Sequence, residues 1–135
     1  MMKKYVTLLL AILLFAGSLA IPAFAEESTS YRGVLTTSVS LVINSSDRAT
    51  ITASYTGSEG DIVSADVLIK FQKRTLGLFW TTQREWEHDA VGHFYTYVHE
   101  FSADNVGNYR AVVTWTIHYS DGSSEVIEKI ATYSN

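Results

Sequence analysis

The residues best suited to chemistry in this 135-residue chain are concentrated between positions 85 and 100. Imidazole nitrogens and carboxylate oxygens are ligands that divalent metals accept. Because alternate residues of a strand share a face, Glu85 and Glu87 are expected to converge, with His93 near them across a hairpin. The full cluster is Glu85, Glu87, His88, Asp89, His93, His99 and Glu100.

The spacing of this cluster matches neither H-E-x-x-H nor a calcium-binding loop. A solvated strand edge and turn therefore competes with a metal site. We expect no cofactor, and His88, His93 and His99 are the weak candidates for metal ligands. Two of the acids could instead act as a glycosidase pair, which requires a separation of about 5–9.5 Å. A secreted metal-dependent or carboxylate-based hydrolase using Glu85–His99 is thus the alternative to a function without catalysis.

Aromatic side chains form a second candidate site in the same region. Trp80 and Trp86 are predicted to share one face of a strand, and Tyr95 and Tyr97 one face of the next. If these faces point outward, the flat rings can stack on sugar rings or on another protein. The competing interpretation is that the rings complete the core. Phe79 would face away from Trp80, so one of these two must be exposed or covered by a loop.

The N-terminus has the organisation of an export signal. Lys3 and Lys4 precede the apolar run 6–16, and Ala23-Phe24-Ala25 supplies small residues at −3 and −1 of a cleavage site. The run is short for a bilayer span, and no second hydrophobic stretch follows it. We therefore predict cleavage after Ala25, secretion, and no membrane association afterwards. The expected divisions are a signal peptide at 1–25, a short lead-in at 26–33 and a folded domain at 34–135.

Charge and cysteine content exclude several functions. Removing Lys3 and Lys4 leaves eight basic and fourteen acidic residues, a net charge of −6. Nucleic-acid binding is disfavoured, because it normally needs a basic footprint that neutralises phosphates. The chain has no cysteine, so disulfides and thiol catalysis are excluded and the core alone must hold the fold.

The sequence after the leader has the period-two alternation of strands, with no segment of helical period. Seven such segments in about 110 residues predict an all-β, antiparallel, immunoglobulin-like sandwich. Asp121-Gly122 is expected to form a type I′ hairpin turn. The predicted strands are 34–43, 49–55, 62–74, 78–87, 93–101, 108–119 and 125–132.

The segment Asn105–Ala111 resembles the corner that leads into the penultimate strand of immunoglobulin-like domains. There a tyrosine two residues before the cysteine position turns inward, and its hydroxyl bonds to backbone upstream. Ala111 occupies that cysteine position. The predicted inward face is Tyr109, Ala111, Val113, Trp115 and Ile117. The predicted solvent-facing set is Arg110, Thr114, Thr116 and His118.

A wider resemblance extends over almost the whole mature chain. The order TTSVSL, RATITAS, IKFQKR, W-x-T-x-x-x-W and G-N-Y-R-A resembles small secreted proteins of Gram-positive, Clostridia-like bacteria. Members of that group pair a signal peptide with one immunoglobulin-like or fibronectin-III-like sandwich and have no assigned function. The resemblance implies fold and export and identifies no catalytic residue.

These observations favour a secreted, disulfide-free module that works by binding. The expected partners are a cell-wall or host glycan or an extracellular protein, and the module is expected to be a monomer. Binding by strand addition at a sheet edge is a further possibility.

Overall fold

The computed structural model describes residues 35–135, and in this part of the chain it is an antiparallel β-sandwich without a helix. The predicted all-β sandwich of seven strands is confirmed. The predicted signal peptide, the lead-in and the first predicted strand residue, Val34, lie outside the described residues. The strands are β1 (Thr36–Ile43), β2 (Arg48–Thr56), β3 (Ile62–Thr75), β4 (Phe79–Val91), β5 (Phe94–Ser102), β6 (Asn108–Tyr119) and β7 (Ser124–Ser134).

The strands form two sheets in which every neighbouring pair is antiparallel. One sheet has three strands in the order β1-β2-β5, and the other has four in the order β4-β3-β6-β7. Observed and predicted bounds agree within about two residues for every strand except β4. That strand continues through His88 to Val91, where the sequence predicted a break.

The core lies between the two sheets and is formed by alternate residues of most strands. Trp115 in β6 is fully buried, with Ile69 of β3 and Ile51 of β2 equally inaccessible. Burying a large apolar side chain stabilises the folded state by about 1.5–3 kcal/mol before conformational entropy is subtracted. The predicted inward set of β6 is confirmed, since Tyr109, Ala111, Val113, Trp115 and Ile117 are all buried.

The prediction that Arg110 points into water is wrong. Its side chain is on the outer face of the four-stranded sheet, yet the residue is only 6% exposed. The Arg110 guanidinium lies over the ring of Trp80, 4.4 Å from its centroid. Its Nε donates a hydrogen bond to Oε1 of Gln72 at 2.6 Å. Neighbours on the same face therefore cover a residue that alternation assigned to solvent.

A β-bulge in β4 overturns the prediction that Trp80 and Trp86 share a face. Phe71 pairs with Arg84 whereas the next residue, Gln72, pairs with Thr82, so one residue of β4 is left out of the ladder. An extra residue shifts the alternation by one position. Trp86 therefore pairs opposite the buried Ile69, while Trp80 pairs with Arg74 on the outer face.

The hairpin between β6 and β7 also differs from the prediction. Tyr119 and Ser123 are joined by a backbone hydrogen bond, which leaves a three-residue loop at 120–122. Gly122 has a φ of 89°, whereas Asp121 does not have a positive φ. This is the pattern of a type I turn followed by a glycine bulge and not of a type I′ turn. The Asp121 carboxylate accepts a hydrogen bond from the Ser123 amide at 2.9 Å.

The two long sides of the sandwich differ. On one side Lys129 of β7 donates from Nζ to the carbonyl of Thr37 in β1 at 2.6 Å, which joins the sheets. On the other side β4 and β5 are the edge strands of different sheets, connected by a short turn. The hydroxyl of buried Tyr55 donates to the Gly92 carbonyl at 3.0 Å and holds this turn against the core. The β4–β5 side is therefore the open one.

At the corner before β6, the ring of Tyr109 turns inward as predicted and stacks on Phe71 at 5.1 Å. Within residues 35–135, a tyrosine hydroxyl does donate to the backbone upstream at this corner, but the tyrosine is Tyr133. Its hydroxyl donates to the Asn105 carbonyl at 2.7 Å. Gly107 exchanges two backbone hydrogen bonds with Asn135 and has a φ of 141°. A Cβ at Gly107 would be 3.2 Å from the Tyr109 ring, so the corner requires glycine.

We expect Gly107→Ala to lower the free energy of unfolding by about 2–3 kcal/mol, because it combines an unfavourable φ with a contact on Tyr109. Gly60→Ala is the matched control, since Gly60 also has a positive φ but a Cβ there has nothing within 4 Å. The control should lose about 1 kcal/mol. Urea denaturation of both variants measures the difference, and equal losses would contradict the role of the Tyr109 contact.

Candidate functional site

The open side of the sandwich is lined by a continuous row of stacked rings, here called the aromatic row. The row begins with Tyr95, which is 45% exposed, and continues inward to the buried Phe101. Its members come from the inner faces of β4 and β5, whose edges do not pair with each other, and they alternate between the two strands from Tyr97 onward. In order along the opening they are Tyr95, Tyr97, His88, His99, Trp86 and Phe101.

The rings stack nearly parallel over most of the row. The ring centroids of Tyr95 and Tyr97 are 4.5 Å apart, and those of Tyr97 and His88 are 4.1 Å apart. The His99 ring is 4.5 Å from that of Trp86, with only 13° between their planes. Such aromatic pairs stabilise a fold by about 0.5–1.5 kcal/mol beyond the area that they bury. Ring contacts, and not backbone hydrogen bonds, thus connect β4 with β5.

The sequence predicted part of this row. Tyr95 and Tyr97 share a face as expected, and the structure places them in one row with Trp86, from which His88 and His99 separate them. Trp80 lies apart from these three on the outer face of the four-stranded sheet. A platform containing all four rings is therefore not formed, and Trp86 packs against the core as the competing interpretation proposed.

Two histidines meet in the middle of the row. His88 Nε2 and His99 Nε2 are 2.6 Å apart, so one ring donates a hydrogen bond and the other accepts it. Partial burial lowers the pKa of His99, and the nearby His88 lowers it further. Both effects disfavour the charged form of His99. Its partly buried ring is poorly solvated, and a second proton on it would place an N–H group against the N–H group of His88.

The carboxylates do not join these histidines. Glu85 and Glu87 pair with outward residues of β3, whereas His88 pairs opposite the inward Val67. His93 lies in the turn, where its ring contacts Phe94 edge-on at 5.0 Å. The expected approach of His93 to Glu85 and Glu87 is thus replaced by the pairing of His88 with His99. In residues 35–135, no three His, Cys, Asp or Glu side chains are arranged to hold a metal ion.

An open depression of about 380 Å³ lies at the inner end of the aromatic row. Arg84 is placed above the ring of Phe101, at 5.3 Å, and Lys73 is 5.9 Å from the ring centroid of Tyr109. Gln83 and Asp104 add an amide and a carboxylate to the lining. Ring surfaces bordered by a few polar groups are typical of binding sites for small ligands and sugars. The bulge in β4 creates this arrangement, because it exposes consecutive polar residues of the edge strand.

A second cluster, which the sequence did not predict, lies on the outer face of the four-stranded sheet. Asp66 and His118 are 2.9 Å apart, and Asp89 and Glu87 border the same open depression of about 340 Å³. The hydrogen bond from His118 lowers the pKa of Asp66, followed by a smaller contribution from Asp89. Asp66 and His118 are 52 positions apart in the chain, so only the pairing of β3 with β6 brings them together.

Comparison with known proteins adds no assignment to this geometry. No protein-family model matches the chain, and no curated protein is significantly similar to it. Within residues 35–135 there is no helix of the length and apolarity that crossing a membrane requires.

The free energy of unfolding should decrease as the pH is lowered, because burial lowers the pKa of His99 in the folded state. Its folded pKa is below the 6.5 of an unperturbed histidine, so between these two values the unfolded chain binds more protons and stability decreases as pH falls. We expect the Tm of the wild type to decline from pH 7.5 to 5.5. His99→Phe, which keeps a ring between His88 and Trp86, should decline less.

His93→Gln is the control, because this histidine lies in the turn and outside the aromatic row. The slope of Tm against pH in this variant is the reference for the change seen in His99→Phe. An unchanged slope in His99→Phe would contradict the assignment, and following the imidazole resonances by NMR titration identifies the group directly.

Proposed function

We propose that this protein is an exported, non-catalytic binding module of immunoglobulin-like architecture, and that the β4–β5 opening is its binding site. The strand order supports the architecture. Constant-type immunoglobulin domains place their first, second and fifth strands side by side in one sheet, and this protein does the same. The difference lies in the fourth strand, which continues that sheet in the constant-type domains but here pairs with the third strand. Export rests on the N-terminal apolar run and the A-F-A sequence.

The ligand class that suits this opening best is a glycan of the cell wall or of a host surface. The observation that carries the proposal is the aromatic row, which ends in a depression with cationic, amide and carboxylate groups. Sugar rings have apolar faces that pack on aromatic rings and hydroxyls that bind polar side chains. Tyr95 presents the exposed end of the row, and Arg84 and Gln83 lie at the other end.

The alternative hydrolase using Glu85–His99 receives less support from the same geometry. Its carboxylates and its histidine pair lie on opposite faces of β4, so they do not reach one substrate atom together. General acid–base catalysis requires the groups within hydrogen-bond distance of the reacting atoms. Binding without chemistry needs only the rings and polar groups that share the opening.

We expect Tyr95→Ala to reduce glycan binding about tenfold, since the exposed ring supplies one stacking surface. Glycan-array and cell-wall pull-down assays of the exported protein measure this loss. Trp80→Ala is the matched control, because it removes a larger ring from the outer face of the four-stranded sheet and leaves the opening intact. Thermal unfolding of both variants separates loss of binding from loss of fold.

The control variant also decides the location of the site. Loss of binding in Trp80→Ala with retention in Tyr95→Ala would reject the β4–β5 opening in favour of the outer face. Absence of any glycan ligand for the wild type would reject the ligand class.

A further inference from the structure

The β3–β4 hairpin extends beyond the body of the sandwich. β6 pairs with β3 only as far as Lys73, whereas β3 and β4 remain paired to Thr75 and Phe79. Leu76 therefore lies three residues beyond the last β6 pair, a distance of roughly 10 Å at about 3.3 Å per residue. Within residues 35–135, no further strand pairs with this end of the hairpin.

The end of the hairpin is strongly apolar. Leu76 is 84% exposed, Leu78 is 74% exposed and Phe79 is 62% exposed. These three residues are here called the apolar tip. Contiguous exposed apolar residues of this kind mark contacts with a protein or a membrane, because a fold gains nothing from leaving them in water.

The turn itself has a residue that its geometry disfavours. Leu76 and Gly77 have φ values of 56° and 67°, and the Leu78 amide donates to the Thr75 carbonyl at 3.1 Å. A turn with positive φ at both central residues normally uses asparagine, aspartate or glycine at the first position. Leucine is strained there, since its Cβ approaches backbone oxygen in the left-handed conformation. The apolar side chain at this position is therefore explained better by a contact outside the fold than by the turn.

Charge around the apolar tip identifies the chemistry of its partner. Residues 67–84 contain four basic residues and no acidic one, in a chain with a net charge of −4. Lys73 and Arg74 come just before the tip, and Trp80 follows it. Apolar residues with adjacent cations and a tryptophan are the combination that binds the interface of an anionic bilayer.

We propose that the apolar tip inserts into the interface of an anionic lipid bilayer, with Arg74 and Lys73 at the headgroups and Trp80 at the boundary. The projection of the hairpin matches the insertion of about 5–10 Å that interfacial segments reach. This proposal differs from the expectation of no membrane association after signal cleavage, which was based on the absence of a second long hydrophobic stretch. None of Leu76, Leu78 and Phe79 belongs to the aromatic row or lines the depression at its inner end, although Lys73 borders both regions.

Vesicle co-sedimentation tests the proposal with the exported protein, whose N-terminus is established by mass spectrometry. The wild type should bind vesicles of phosphatidylglycerol mixed with phosphatidylcholine and should not bind phosphatidylcholine alone. Phe79→Ser should weaken binding on the order of tenfold. Arg74→Gln should weaken it about fivefold, the contribution of one basic residue near an anionic surface. Tyr95→Ala, which alters the proposed glycan site, should bind vesicles as the wild type does.

Leu76→Asn separates a membrane contact from a role in folding. Asparagine suits the left-handed conformation, so this variant should have a higher Tm and weaker vesicle binding. A lower Tm would assign Leu76 to the fold and overturn the inference.

Val126→Ser and Arg48→Gln are matched controls on other strands, since Val126 is 66% exposed and Arg48 is an exposed cation near Glu100. Both should bind vesicles as the wild type does. Equal binding by Phe79→Ser and the wild type would show adsorption by charge alone and reject insertion, as would absence of binding to the anionic vesicles.

Discussion

Apolar packing between the two sheets is the interaction on which the rest of this structure depends. The chain has no cysteine that could join the sheets covalently. Trp115, Ile51 and Ile69 are completely buried between them, and Tyr55 carries the same packing to the β4–β5 turn. Removing such side chains from water is the main favourable contribution to folding. The sheets are therefore held together from the centre of the sandwich and not by a covalent link at its edges.

Unequal edges give the molecule its two candidate contact regions. One side is joined by the bond from Lys129 to the Thr37 carbonyl, whereas β4 and β5 are connected across the other side by stacked rings. Ring contacts allow the edges to separate farther than the 4.7–4.9 Å spacing of paired strands. The depression beside Arg84 lies at the inner end of this row. The β3–β4 hairpin extends past β6 at the position where the chain is most basic.

Of the local features, the β-bulge in β4 changes the candidate site most. One unpaired residue assigns Trp86 to the interior and leaves Trp80 on the outer face, next to Arg110. Beyond the bulge the alternation is regular, so His88 shares the inner face with Trp86 and meets His99, while Glu85 and Glu87 face outward. A continuous ladder would have kept both tryptophans together. The bulge thus separates the two tryptophans that a regular strand would have placed on one face.

Alternation of apolar and polar residues by itself determined the strands, the sandwich and the inward face of β6. This was possible because side chains of a strand alternate strictly between two faces, and the sequence after the leader keeps that period. Tertiary structure alone decided which residues of β4 face inward. It also decided the burial of Arg110 and the pairing of Asp66 with His118. A bulge shifts every later side chain to the other face at little local cost, and covering a cation depends on residues far away in the chain. Neither the bulge nor the burial of Arg110 can be predicted from residue types alone, because both arise only when distant strands are placed side by side.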